Sequence, residues 1–116
     1  MRAESRQVQA FLRRSIPRIL SVFPRVQRII LFGSYASGHP TRESDIDLFI
    51  VTPTKRRWSD RVRMVQALFP ERPAPLDVIV RTPEEVRQRL TSYFCPLTRE
   101  IIQKGRLLYE ASPRRS

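Results

Sequence analysis

Three short apolar runs constrain this chain more than any other feature: Ile-Ile-Leu-Phe at 29–32, Leu-Phe-Ile-Val at 48–51 and Leu-Asp-Val-Ile-Val at 76–80. Runs of this length, rich in branched side chains and bounded by turn residues, read as buried strands. Each run also carries or borders a residue suited to chemistry. Gly33-Ser34 follows the first, Asp45-Ile46-Asp47 leads into the second, and Asp77 lies inside the third. Ten residues separate Ser34 from Asp45, enough for one turn of helix and a loop. That spacing brings the glycine-serine turn and the aspartates to neighbouring strand ends.

Strand side chains alternate between faces, so Asp45 and Asp47 point the same way. Two carboxylates on one face repel each other, and a bound cation removes the penalty. Hard divalent ions such as Mg2+ take oxygen ligands and keep part of their water shell for phosphate oxygens. Two such ions about 4 Å apart can clamp the attacking and leaving oxygens of an in-line displacement. Asp77 is unfavourable among Leu76, Val78, Ile79 and Val80 unless it has a task. If its strand lies beside the second one, Asp77 completes the carboxylate cluster and can accept the proton of an attacking hydroxyl. The backbone N–H groups at Gly33-Ser34 suit phosphate oxygens, and the serine hydroxyl adds a donor. Two of the three glycines in the chain, Gly33 and Gly38, bracket this turn. The competing reading is a sharp strand-to-helix turn that holds no ligand, with Asp45 as a turn residue.

The 116 residues suffice for one domain, expected over 1–110 with a frayed tail at 111–116. No apolar run approaches the roughly 20 residues of a bilayer span, and the charged N-terminus lacks a signal-peptide core. A soluble cytoplasmic protein without membrane association is expected. The single cysteine, Cys95, excludes an internal disulfide and reads as a packed small side chain; the single histidine, His39, reads as a loop residue. The net charge is +11, carried almost wholly by arginine. Such a balance attracts anions, nucleic acid among them. The basic residues are dispersed, so specific nucleic-acid binding is not favoured.

Elsewhere the spacing of Val8, Phe11, Leu12, Ile16, Ile19, Leu20 and Phe23 predicts a helix over 5–23, with a kink or break at Pro17. Strands are predicted over 26–32, 45–51 and 76–81, a helical turn over 34–38 and a loop over 39–44. A helix is predicted over 58–69. Thr82, Pro83 and Glu85 form a helix-start signature for a helix to about 90. A last helix over 96–104 stops at Gly105, read as a left-handed cap, and 106–110 is a short terminal strand. Tyr35 is expected to pack beside the turn, and Trp58, Tyr93 and Tyr109 to serve as core or interface aromatics.

With the segments Gly33-Ser34-Tyr35-Ala36-Ser37-Gly38, Ser44-Asp45-Ile46-Asp47-Leu48 and Leu76-Asp77-Val78-Ile79-Val80, and the ending at 101–110, the chain resembles the minimal nucleotidyltransferases of the DNA polymerase β-like superfamily. The resemblance covers about residues 8–110. It implies an α+β (α/β) fold, a small mixed sheet flanked by helices. It implies that Gly33 and Ser34 bind the triphosphate of a nucleotide together with Asp45 and Asp47. It further implies that Asp45, Asp47 and Asp77 are the catalytic residues and hold two Mg2+ ions, with ATP as substrate. Many minimal members are antitoxins encoded beside a HEPN-type ribonuclease toxin and transfer AMP to a toxin tyrosine. A HEPN-type partner and a hetero-oligomer are therefore implied. One position departs: Ser37 stands where the family often has arginine, and Arg42 in the same loop is a candidate substitute. Two rival readings are a binding module that neutralises a toxin by occlusion and an RNA-directed nucleotidyltransferase.

Overall fold

The computed structural model describes residues 3–41, 43–92 and 96–112; Arg42, Tyr93 and Cys95 lie outside the described residues. Four strands form one mixed sheet: β1 (Arg28–Phe32), β2 (Ile46–Val51), β3 (Leu76–Arg81) and β4 (Arg106–Glu110), in the order β3-β2-β1-β4. β1 pairs antiparallel with β2 and with β4, whereas β3 runs parallel to β2. Among the described residues five helices accompany them: α1 (Ala3–Val22), α2 (Ser34–Ser37), α3 (Trp58–Gln66), α4 (Pro83–Leu90) and α5 (Pro96–Lys104). The expected mixed sheet flanked by helices is what forms.

Alternation divides the sheet into two apolar faces. One face presents Ile29, Leu31, Ile46, Leu48, Ile50, Val78 and Val80, which pack with Val8, Phe11 and Ile19 of α1 and Val65 of α3. Phe11 and Phe69 meet edge to face there, with centroids 5.0 Å apart. Such a pair adds about 1 kcal/mol beyond the area it buries. The other face presents Ile30, Phe49 and Val51 to Val86 of α4 and Ile101 of α5. Phe32 and Ile79 flank this second cluster. A bulge interrupts the β1–β4 register between Ile29 and Ile30, which pair with Tyr109 and Leu107. The extra residue explains why the consecutive Leu108 and Tyr109 both pack against the α1 face.

Four expectations change. α1 runs through Pro17 as one helix without a break. Pro17 and Arg13, whose carbonyl loses its partner, are both exposed, so water can satisfy that carbonyl. Buried Leu12 and Ile19 anchor the helix on either side. α3 ends at Gln66 rather than 69; Leu68 and Phe69 instead donate to the carbonyls of Val65 and Gln66, a tighter closing turn that buries Phe69 completely. Gly105 does not take a left-handed conformation. A Cβ there would collide with Ile30 Cγ2 and lie 2.5 Å from the Ile101 carbonyl oxygen, so the glycine serves close approach of chain to sheet. The predicted fraying does not reach Ala111, whose N–H donates to the Gln27 carbonyl at 2.9 Å. Residues 113–116 lie outside the described residues.

Two boundary signals hold in detail. Thr82 accepts from the Glu85 N–H at 3.1 Å and the Glu85 carboxylate accepts from the Thr82 N–H at 2.9 Å, a closed capping box at the start of α4. α2 begins after Gly33 (φ 78°) and ends on Gly38 in the left-handed region (φ 82°). Among the described residues no helix is long and apolar enough to cross a membrane.

Candidate active site

The strand order sets the geometry. β2 and β3 are in parallel register with Asp47 opposite Asp77, and in the antiparallel register of β1 with β2 Phe32 lies opposite Asp47. Residues opposite one another share a face, so Asp47, Asp77 and Phe32 lie on the face covered further along by α4 and α5. Asp45 precedes β2 by one residue, rather than opening it as predicted, and its charge acts on Asp47. The N–H of Ile46 donates to the Pro75 carbonyl at 2.7 Å, which ties the entries of β2 and β3 together, and the charges of both Asp77 and Asp45 reach Asp47.

Gly33 closes the site on the β1 side. A Cβ on this residue would clash with Asp47 Oδ2 and stand 3.1 Å from Asp47 Cγ. Its positive φ and this contact both require glycine. Gly33 of the turn and Asp47 of the aspartate pair are therefore in direct contact. Ser34 is half-buried behind Gly33, and Tyr35 packs against the α1-side core as expected. Ser37 is exposed, and its hydroxyl donates to the Ser34 carbonyl at 3.0 Å. His39 is an exposed loop residue.

The charge state of the cluster follows from crowding. Burial first, then the charges of Asp77 and Asp45, raise the Asp47 carboxyl from 3.8 to about 6. Asp45 and Asp77 are themselves exposed. The reason given above for Asp77, that a carboxylate inside an apolar strand is costly, therefore does not apply. β3 alternates buried and less buried positions, and Asp77 is the exposed one. Its significance comes from register instead.

Ser44 carries a role that the spacing of motifs did not reveal. It is buried, its hydroxyl accepts from the Thr41 N–H at 2.7 Å, and its N–H donates to the Thr41 carbonyl at 3.1 Å. This closed turn fixes the chain immediately before Asp45. A serine three residues after a threonine, next to the first aspartate, was the available signal.

Could these residues hold divalent cations? The donors are all carboxylate oxygens, the set hard ions prefer, and the mutual repulsion that raises Asp47 is what a cation relieves. Among the described residues no three histidine, cysteine or acidic side chains are grouped closely enough to hold a metal ion by themselves. Mg2+ at a phosphate site usually keeps water and substrate oxygens in its shell, so fewer than three protein carboxylates per ion are compatible with it.

A model of the nucleotidyltransferase domain matches residues 12–109. The chain belongs to the nucleotidyltransferase domain family. The match spans the sheet, both helical layers and the carboxylate cluster, and the enzyme is a nucleotidyltransferase, as its resemblance to minimal members implied. It is 33% identical over 85 residues to the Methanocaldococcus jannaschii protein named as a candidate protein adenylyltransferase, MJ0604, covering 73% of this chain and 80% of that one. Among solved structures, a candidate nucleotidyltransferase from Sulfolobus solfataricus superposes with a TM-score of 0.61 at 22% identity, over 92% of this chain and 83% of that one. A mutant of the toxin–antitoxin pair MntA-HpeT gives 0.60 at 24% identity, over 85% of this chain and 72% of the other. A toxin–antitoxin structure with AMP-PNP gives 0.56 at 20% identity, over 84% and 73%. At these identities the structural likeness establishes the shared fold.

Proposed function

We propose that this nucleotidyltransferase moves AMP from ATP to a tyrosine hydroxyl of a HEPN-type toxin and thereby acts as its antitoxin. The observation that carries the chemistry is the register of Asp47 beside Asp77, with Gly33 packed against the Asp47 carboxylate. The relative named as a candidate protein adenylyltransferase supports the transferred group and a protein acceptor. The toxin–antitoxin neighbours, one with AMP-PNP, support the partner class and an adenine nucleotide.

In this reading Asp45, Asp47 and Asp77 hold two Mg2+ ions, which supply charge neutralisation and polarisation of phosphate oxygens when bound. Gly33 and Ser34 donate backbone N–H and hydroxyl hydrogen bonds to the triphosphate tail. Asp77, exposed at the outer strand, accepts the proton of the acceptor hydroxyl. The hydroxyl oxygen attacks the α-phosphorus, the bond to the β-phosphate breaks, and pyrophosphate leaves on the Gly33 side.

The test incubates the purified chain with α-labelled ATP, Mg2+ and the toxin encoded beside it. Label should appear on a toxin tyrosine, and Asp45→Ala with Asp47→Ala should abolish it. No transfer, or transfer indifferent to those substitutions, refutes the proposal. Full neutralisation of the toxin by a variant lacking all three aspartates would assign the antitoxin effect to occlusion.

A further inference from the structure

Beside the candidate site, on the side away from Asp77, lies a recess of about 300 Å³. Phe32, Ala36, Leu97 and Ile101 give it a mostly apolar wall, and Gly33 forms the edge that borders Asp47. Glu100 and Lys104, one turn apart on α5, also line it, with Lys104 Nζ 3.5 Å from Glu100 Oε2. Both side chains are well exposed, and a pair of this kind opens at little cost. Leu97 is 53% exposed, a large apolar side chain left uncovered beside the site.

The strand order makes the arrangement directional. Crossing the sheet from its outer strand, one meets Asp77 on β3, Asp47 on β2, Gly33 after β1, and Gly105 before β4. The recess lies between the last two. A volume of this size sits at the small end of ligand pockets and suits one flat ring better than a whole nucleotide. Apolar walls offer such a ring van der Waals contact, and the adjacent carboxylate and ammonium can hydrogen-bond its edge. Two rings take part in the proposed reaction: the nucleobase and the acceptor phenol. The phenol approaches from the Asp77 side, whereas the recess is contiguous with the phosphate turn.

We propose that this recess is the nucleobase seat, with Leu97 and Ile101 contacting the ring and Glu100 and Lys104 reading its edge. The inference rests on the reading of Gly33-Ser34 and the aspartates as the triphosphate site. It makes α5, which the motifs left without a task, the element that sets nucleotide preference.

Equilibrium binding tests it, using ATP, CTP, GTP, UTP and inorganic tripolyphosphate with Mg2+ and the full chain. The wild type should bind its preferred nucleotide at least tenfold more tightly than tripolyphosphate. Leu97→Glu, at an exposed position, should lower nucleotide affinity about tenfold while tripolyphosphate binding stays unchanged. That retained binding also reports a folded site. Leu97→Ala should act in the same direction by less, and Glu100→Ala should alter the ranking of the four nucleotides. Equal losses for nucleotide and tripolyphosphate, or no loss for either, would overturn the base seat and leave the proposed activity standing. Unchanged nucleotide affinity with a raised KM for the acceptor would assign the recess to the phenol and overturn the proposal. No binding of any of the five would remove the triphosphate site and the base seat together.

Discussion

At the entry of β2 and β3, Asp47 and Asp77 stand side by side and Asp47 is driven up to about 6. Where the same two strands end, Glu85 is drawn down to about 2. Burial pushes Glu85 upward as well, but hydrogen bonds from Arg61, the Thr82 N–H and the Trp58 indole, together with the Arg61 charge, overrule it. Arg61 is buried, meets Glu85 through two nitrogens at 2.9 and 3.2 Å, and donates to the carbonyls of Arg56 and Val80. Trp58, expected as a core or interface aromatic, is 48% exposed and belongs to this cluster. The guanidinium of Arg81 lies 4.0 Å from its ring centre and that of Arg89 5.1 Å. One strand pair therefore holds a satisfied ion network at one end and, at the other, an acidic cluster with no ion pair among the described residues. The satisfied end has the character of architecture. The crowded end costs stability, which points to function.

That contrast can be broken from either end. Asp45→Asn with Asp47→Asn should reduce nucleotidyl transfer by two orders of magnitude or more, the several kcal/mol that metal-assisted charge stabilisation supplies. Thermal melts of the same variant should show no loss of stability near neutral pH. A matching fall in Tm would mean that the carboxylates serve the fold.

Glu85→Ala should do the reverse. It leaves Arg61 buried without its partner and opens the capping box, at a cost of about 3 kcal/mol. Transfer per folded molecule should be unchanged. Denaturant unfolding beside specific activity checks both halves.

Gly33→Ala tests the seam between turn and cluster. A Cβ meets the Asp47 carboxylate, and the backbone there has positive φ, so a loss of roughly 1–2 kcal/mol is expected. Transfer should fall further than stability does. A variant that keeps full activity would show that the contact is not needed.

Two further effects are in pH. Asp47 has a folded value of about 6 against 3.8. The native state thus holds more protons across that window, and its share of stability declines as pH rises from 3.8 through 6. Mg2+ should therefore raise Tm more at pH 7.5 than at pH 5, and Asp47→Asn should remove the difference. Glu85 behaves oppositely. Its folded value of about 2 against 4.5 gives stability that is complete above 4.5 and lost as pH falls through 2. Glu85→Gln should flatten the acid limb of the stability profile between those values.

Much of this molecule was legible before any coordinates. The four strands, the capping box at Thr82 and Glu85, and the glycine-bracketed turn at 33–38 are local events, set by side-chain period and backbone conformation within a few residues. The candidate site was legible for the same reason, because Gly33-Ser34 and Asp45-x-Asp47 lie within fifteen residues at strand ends. Less was visible where distant partners decide. Pro17 read as a kink or break because the burial of Leu12 and Ile19 on either side of it belongs to the folded core. The end of α3 depended on where Phe69 had to be buried. Gly105 read as a cap because Ile30, the residue it must approach, is far away in sequence. Glu85 read only as part of the helix start, because Arg61, its ion-pair partner, lies 24 residues earlier in another helix.

What the chain determined by itself was its inventory of elements and the donors at their ends, since these follow from local pattern. Tertiary structure decided that β3 runs parallel beside β2 with Asp77 in register with Asp47, that Gly33 rests against that carboxylate, and that α5 borders a recess next to it. The physical reason is that strand pairing and helix docking are settled by burying two sheet faces at once. The proximity of three like charges is then a consequence of the whole core, which stabilises an arrangement those charges alone would oppose.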